Sequence, residues 1–171
     1  MNKNIYLTGF MGTGKSTVGH LLAKKLGRKF IDTDQAIVKE QGMQIAEIFS
    51  QEGEDYFRTL ESDLIAKLGK QNSLIVSLGG GAVMDPKNQA IIKQGLWVFI
   101  LTPFELLQER ALETKKRPLA QDTEKFAELY KQRLPVYQKA ELIVDAGSEP
   151  ADFVCQEIIK KRILAHEKTS N

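Results

Sequence analysis

The stretch Gly9-Phe10-Met11-Gly12-Thr13-Gly14-Lys15-Ser16-Thr17 follows the apolar run Ile5-Tyr6-Leu7 and precedes an amphipathic segment. A glycine, four residues, then Gly14-Lys15-Ser16 is the spacing of a phosphate-binding loop, and it stands where that motif belongs, after a strand and before a helix. The glycines let backbone N–H groups turn inward around a polyphosphate, where a side chain at Gly12 or Gly14 would obstruct the approach. Lys15 supplies a point charge for the outer phosphates, Ser16 a hydroxyl for Mg²⁺, and the helix that follows presents its positive N-terminal end. The motif points to a nucleoside triphosphate. By itself it leaves kinase, GTPase and motor open.

Outward from the loop, strand-like runs recur at Ile5–Thr8, Lys29–Ile31, Leu74–Leu78, Trp97–Leu101 and Leu142–Val144, each separated from the next by helical periodicity. That alternation predicts an α/β fold, a parallel sheet with helices on its faces. Helices are predicted over Lys15–Leu26, Asp34–Gln41, Met43–Gln51, Asp55–Leu68, Pro86–Gln94, Pro103–Glu113, Thr123–Lys139 and Pro150–Ala165, the first closed by Gly27 as a C-cap. No repeat or linker interrupts the chain. Its 171 residues fit one domain, 1–171, long enough to bury roughly 70% of the surface exposed when unfolded. The segment Thr114–Asp122, basic and then polar, lacks apolar periodicity. It reads either as a solvated connection or as a lid carrying an arginine over a phosphate site.

Composition excludes several classes of function. Apolar residues make up 42% and charged residues 27%, ordinary values for a globular chain. No apolar run approaches the ~18 residues of a membrane span and no secretory signal is evident, so a cytoplasmic protein is expected. The single Cys155, in an apolar helical pattern, reads as a buried inert thiol. Two separated histidines, His20 and His166, and one cysteine do not make a zinc site, which leaves oxygen-held Mg²⁺ as the plausible metal. A net charge of +2 does not imply nucleic acid.

Three further groups bear chemistry. Asp32 and Asp34 stand two residues apart where the second strand leaves the sheet, the end at which open α/β sheets bind ligands. One carboxylate could hold Mg²⁺ through water and the other accept a proton from an attacking hydroxyl; the alternative for Asp34 is the N-cap of the next helix, and the two roles can coexist. Gly79-Gly80-Gly81 ends the third strand and reads as a tight turn or as a second anion-holding surface of bare N–H groups. Arg58, Arg110, Arg117 and Arg133 are candidates for bidentate recognition of carboxylate or phosphate.

With these residues in view, the chain resembles the shikimate kinases from Asn4 to about Ile163. GFMGTGKST, FIDTD, GMQIAEIF, GEDYFRTLE, SLGGG, KRPLA and RLPVY occur in order. The resemblance implies a three-layer α/β/α P-loop kinase fold similar to the nucleoside monophosphate kinases. Its five-stranded parallel sheet would run 2-3-1-4-5, with shikimate-binding helices at about 34–68 and a mobile lid at about 114–122. It implies transfer of the ATP γ-phosphoryl group to the 3-hydroxyl of shikimate, on the route to chorismate and the aromatic amino acids. ATP is then expected on Gly12, Thr13, Gly14, Lys15, Ser16, Thr17, Arg110, Arg117 and Pro150. Shikimate is expected on Asp34, Arg58, Gly79, Gly80, Gly81 and Arg133, and Mg²⁺ on Ser16 directly and Asp32 through water. Lys15, Asp34 and Arg117 would be catalytic, Asp34 as base and Arg117 as the lid arginine. Glu61, at i+3 from Arg58, is placed to orient that guanidinium. Ala120 departs from the second leucine that many members carry in the lid. Gluconate kinases and nucleoside monophosphate kinases share the loop and lid but are not expected to combine FIDTD, SLGGG and RLPVY. A monomer without nucleic-acid or membrane partners is expected.

Overall fold

The computed structural model describes residues 3–113 and 123–169. Five parallel strands form one sheet, β1 (Ile5–Thr8), β2 (Lys29–Asp32), β3 (Leu74–Ser77), β4 (Leu96–Leu101) and β5 (Leu142–Asp145), in the order β2-β3-β1-β4-β5. Register runs Ile5 to Ile75 on one side of β1 and Ile5 to Leu96 on the other. The central strands read as unbroken apolar runs because both faces are covered. Successive residues nevertheless serve different cores. Tyr6, Val76, Trp97 and Phe99 enter one buried cluster, and Ile5, Leu7, Ile75, Val98 and Ile100 the other. The polar Thr8 is admitted to this interior because its hydroxyl donates to the Val98 carbonyl at 2.9 Å and accepts from Trp97 Nε1 at 2.9 Å.

Helices α1 (Lys15–Leu26), α2 (Thr33–Gln41), α3 (Ile45–Gln51), α4 (Glu54–Gly69), α5 (Pro86–Ile92), α6 (Phe104–Glu113), α7 (Thr123–Tyr137) and α8 (Ala151–Thr169) surround the sheet. Helix α1 ends on Gly27 at φ 63°, whose N–H bonds back to the Ala23 and Lys24 carbonyls, as the sequence predicts. Helices α2, α3 and α4 close on a small core of their own, Ile37, Ile48 and Phe57.

Several bounds differ from the sequence reading: α3 starts two residues later, at Ile45, α5 ends two residues earlier, at Ile92, and α8 runs on to Thr169. Helix α2 begins at Thr33, and its N-cap is Asp32, whose Oδ1 accepts from the Gln35 N–H at 3.2 Å. The capping role considered for Asp34 therefore belongs to Asp32, the last residue of β2. A 3₁₀ turn, Ala82–Met84, follows the glycine run. It is too short to register as periodicity. Helix α7 stops at Tyr137, two residues early, and accommodates Pro135 in its last turn.

Candidate active site

The phosphate-loop residues lie between β1 and α1, beyond the carboxyl end of the central strand. Gly12 and Gly14 adopt φ 88° and 84°, a left-handed backbone that a side chain resists. The demand is thus conformational, since a Cβ on Gly14 would meet nothing within 4 Å. Gly14 is also the N-cap of α1, without a side-chain cap, so first-turn N–H groups remain available to a ligand. Lys15 Nζ folds back to donate to the Gly9 and Phe10 carbonyls at 2.8 and 3.1 Å. Ser16 Oγ donates to Asp32 Oδ2 at 2.6 Å.

A cleft of about 1050 Å³ brings Gly12, Gly14, Lys15, Ser16 and Thr17 together with Asp32, Asp34, Gly80 and Arg133. The other predicted residues that the structure describes do not line it. Thr13 belongs to the loop, but its side chain is buried and its hydroxyl has no partner among the described residues. Arg110 reaches the loop from α6, with Nη1 donating to the Gly12 carbonyl at 3.1 Å. Pro150 precedes α8, after a turn in which the Gly147 N–H donates to Asp145 Oδ1 at 3.0 Å. Neither Arg110 nor Pro150 lines the cleft. Arg117 and the lid segment 114–122 lie outside the described residues.

Arg58 and Gly81 line an adjoining pocket of about 340 Å³ whose wall also contains Arg133. Arg58 donates from Nη1 to Glu61 Oε2 at 2.8 Å, and from Nε and Nη2 to Glu54 Oε1 at 3.2 and 2.9 Å. The orienting role foreseen for Glu61 has this contact behind it. Burial pushes the Glu61 carboxyl above its ordinary range, against the pull of the Arg58 guanidinium. Gly79 is wedged between acids: a Cβ there would sit 2.6 Å from both Asp34 Oδ1 and Glu61 Oε1. Arg133 rests over the Phe10 ring, 5.9 Å from Cζ to centroid.

Two side chains that the sequence reading passed over hold the glycine run. Thr33 Oγ1 accepts from the Gly79 N–H at 3.0 Å and donates to the Ser77 carbonyl at 3.3 Å. Tyr137 Oη donates to the Gly80 carbonyl at 2.6 Å. Burial raises the Tyr137 phenol to about 12, so it remains a donor at neutral pH. Both lay inside quoted motifs, Thr33 in FIDTD and Tyr137 in RLPVY. Their signal was position alone, because neither residue type announces a backbone clamp.

The sequence profile of the family described as "SKI: Shikimate kinase" matches residues 11–162. The chain belongs to the shikimate kinase family. A shikimate kinase of Thermodesulfovibrio yellowstonii is 40% identical over 173 residues, covering 99% of this chain and 98% of that protein. Among solved structures, a shikimate kinase from Acinetobacter baumannii in complex with shikimate superposes with a TM-score of 0.88 at 38% identity, covering 96% of this chain and 94% of that one. A gluconokinase from Sinorhizobium meliloti superposes at 0.64 with 18% identity over 99% and 97% of the two chains, a likeness of fold alone. The sheet order and flanking helices are those expected of this family. Among the described residues no helix is long and apolar enough to cross a membrane.

Proposed function

We propose that this chain phosphorylates shikimate at its 3-hydroxyl with ATP as donor, and that one cleft seats both substrates. The observation that carries this reading is the meeting of Lys15 and Ser16 with Asp34 and Arg133 around a single cleft, in a chain of the shikimate kinase family. Loop N–H groups and Lys15 would hold the triphosphate. Arg58 and Arg133 suit the shikimate carboxylate, and Gly79–Gly81 offer N–H groups without side-chain bulk. Asp34, relieved of capping by Asp32, would take the hydroxyl proton as the oxygen attacks the γ-phosphorus and the bond to the ADP oxygen breaks. Arg110 and Pro150 are assigned to the adenine end. Arg117 is assigned, on its place in KRPLA, to the charge developing on the transferring phosphoryl group.

The oxygen donors of Ser16 and Asp32, 2.6 Å apart, suit Mg²⁺, which is held by few protein oxygens together with water and phosphate. Ser16 would ligate it directly and Asp32 through water; when bound, the ion neutralises phosphate charge. Among the described residues no group of three or more His, Cys, Asp and Glu could hold a metal, which fits a site completed by phosphate rather than a protein cage. We assign the chain to the cytoplasm as a single-domain monomer. The test is ADP release with shikimate, gluconate, AMP or no acceptor. Release dependent on shikimate alone supports the reading, and equal release with gluconate overturns it.

A further inference from the structure

We infer that Asn88 is a positioning residue for the acceptor, acting on the glycine run through the turn that follows it. The inference rests on the acceptor site proposed above. Gly79, Gly80 and Gly81 have no side chains with which to fix themselves, so their geometry must come from neighbours. Thr33 holds the Gly79 N–H and Tyr137 the Gly80 carbonyl. Beyond the run, the Ala82 N–H bonds to the Gly79 carbonyl and the Met84 N–H to the Gly81 carbonyl, each at 3.0 Å. Any displacement of this turn is therefore passed to the glycines. Asn88, from α5, fastens the turn by donating from Nδ2 to the Ala82 carbonyl at 2.8 Å. The adjacent Gln89 donates to the Val83 carbonyl at the same distance.

Placement joins this latch to recognition. Asn88 is 1% exposed and lines the smaller pocket with Arg58, Gly81, Gln132 and Arg133. Gly81 stands so close to Arg58 that a Cβ would lie 2.5 and 2.6 Å from Nη2 and Nη1. A shift of the turn by a few tenths of an ångström thus moves the surface against which the guanidinium rests. Packing alone does not account for an amide here. Asn88 Oδ1 has no hydrogen-bond partner among the described residues, a cost that an apolar side chain would avoid. The retained amide is explained by what its N–H fixes.

Asn88→Asp preserves shape but sets an acceptor against the Ala82 carbonyl, and Asn88→Leu keeps the branched heavy-atom skeleton, with more bulk, and has no donor. In both, the KM for shikimate should rise about tenfold, the worth of one buried hydrogen bond. The KM for ATP should stay within about twofold, a split that general loosening would not produce. Hydrogen exchange over Gly79–Met84 should quicken in Asn88→Asp with no acceptor present. Wild-type turnover of shikimate tests the acceptor reading separately, and the exchange readout does not depend on it. An unchanged shikimate KM with unchanged exchange, or the two KM values rising together, would overturn the inference.

Discussion

At the scale of single residues the proposed site divides into groups that would meet substrate and groups that hold those groups still. If the proposed assignment holds, Arg58→Ala and Arg133→Ala should each raise the shikimate KM strongly while leaving ATP binding near normal, since each would remove one fork from the substrate carboxylate, a loss on the order of 2–5 kcal/mol. Steady-state kinetics with both substrates varied checks this, and Arg133→Lys should restore only part of the loss because an ammonium lacks the fork. Asp34→Asn keeps the side-chain shape and, with Asp32 as the cap of α2, leaves the helix terminus intact. Turnover should fall by roughly 10²–10⁴ with little change in melting temperature. Gly79→Ala is the sharpest steric test. Its Cβ would come within 2.6 Å of the Asp34 and Glu61 carboxylates, and Glu61 is only 1% exposed. Displacing the proposed base should cost at least roughly 10² in kcat/KM for shikimate, with ADP affinity by calorimetry nearly unchanged.

At the scale of elements, Asp32 ends β2, caps α2 and meets Ser16 of α1. Two of these roles separate on substitution. Asn caps as well as Asp, so Asp32→Asn should melt close to wild type yet require more Mg²⁺ for half-maximal rate; Asp32→Ala should in addition lose about 1 kcal/mol of stability. Thermal melts alongside a Mg²⁺ titration distinguish them. The sequence made this neighbourhood legible to different depths. All five strands and eight helices could be read, because glycine punctuation and two-sided burial leave plain marks around short apolar runs. The phosphate loop was legible because a left-handed backbone demands glycine at fixed spacing. The clamps on the glycine run and on the turn after it were not, since Thr33, Tyr137 and Asn88 act on backbone atoms that lie 46, 57 and 6 residues away in the chain. Hydrogen bonding of that kind has no period. The choice between Asp32 and Asp34 as cap also escaped, because it turns on whether the helix begins at Thr33 or Gln35, a two-residue difference that local composition leaves open.

At the scale of the whole molecule, Cys155 reports on the fold far from the cleft. It lies on α8 against α1, fully buried, with Sγ donating to the Val18 carbonyl at 3.4 Å. Burial raises its thiol from an ordinary 9.0 to about 11, partly opposed by Lys25. Below pH 9 the folded chain therefore presents a neutral, inaccessible thiol, and a thiolate-specific reagent should label it only through opening of the α1–α8 contact. Because a ligand that binds only the native state suppresses opening, an ATP analogue at 100 times its Kd should slow labelling by about 100-fold if the opening is global. Labelling that ignores the nucleotide would mean that α8 opens alone. The direction with pH follows from the raised value. Folding favours the protonated thiol, so its contribution to stability is complete below the unfolded value near 9 and is lost as pH rises through about 11. Cys155→Ser, which does not titrate there, should lack that part of the alkaline decline, and chemical denaturation of the two proteins between pH 8 and 11 measures the difference. Parallel curves would show that the thiol is not held in the apolar environment between α1 and α8.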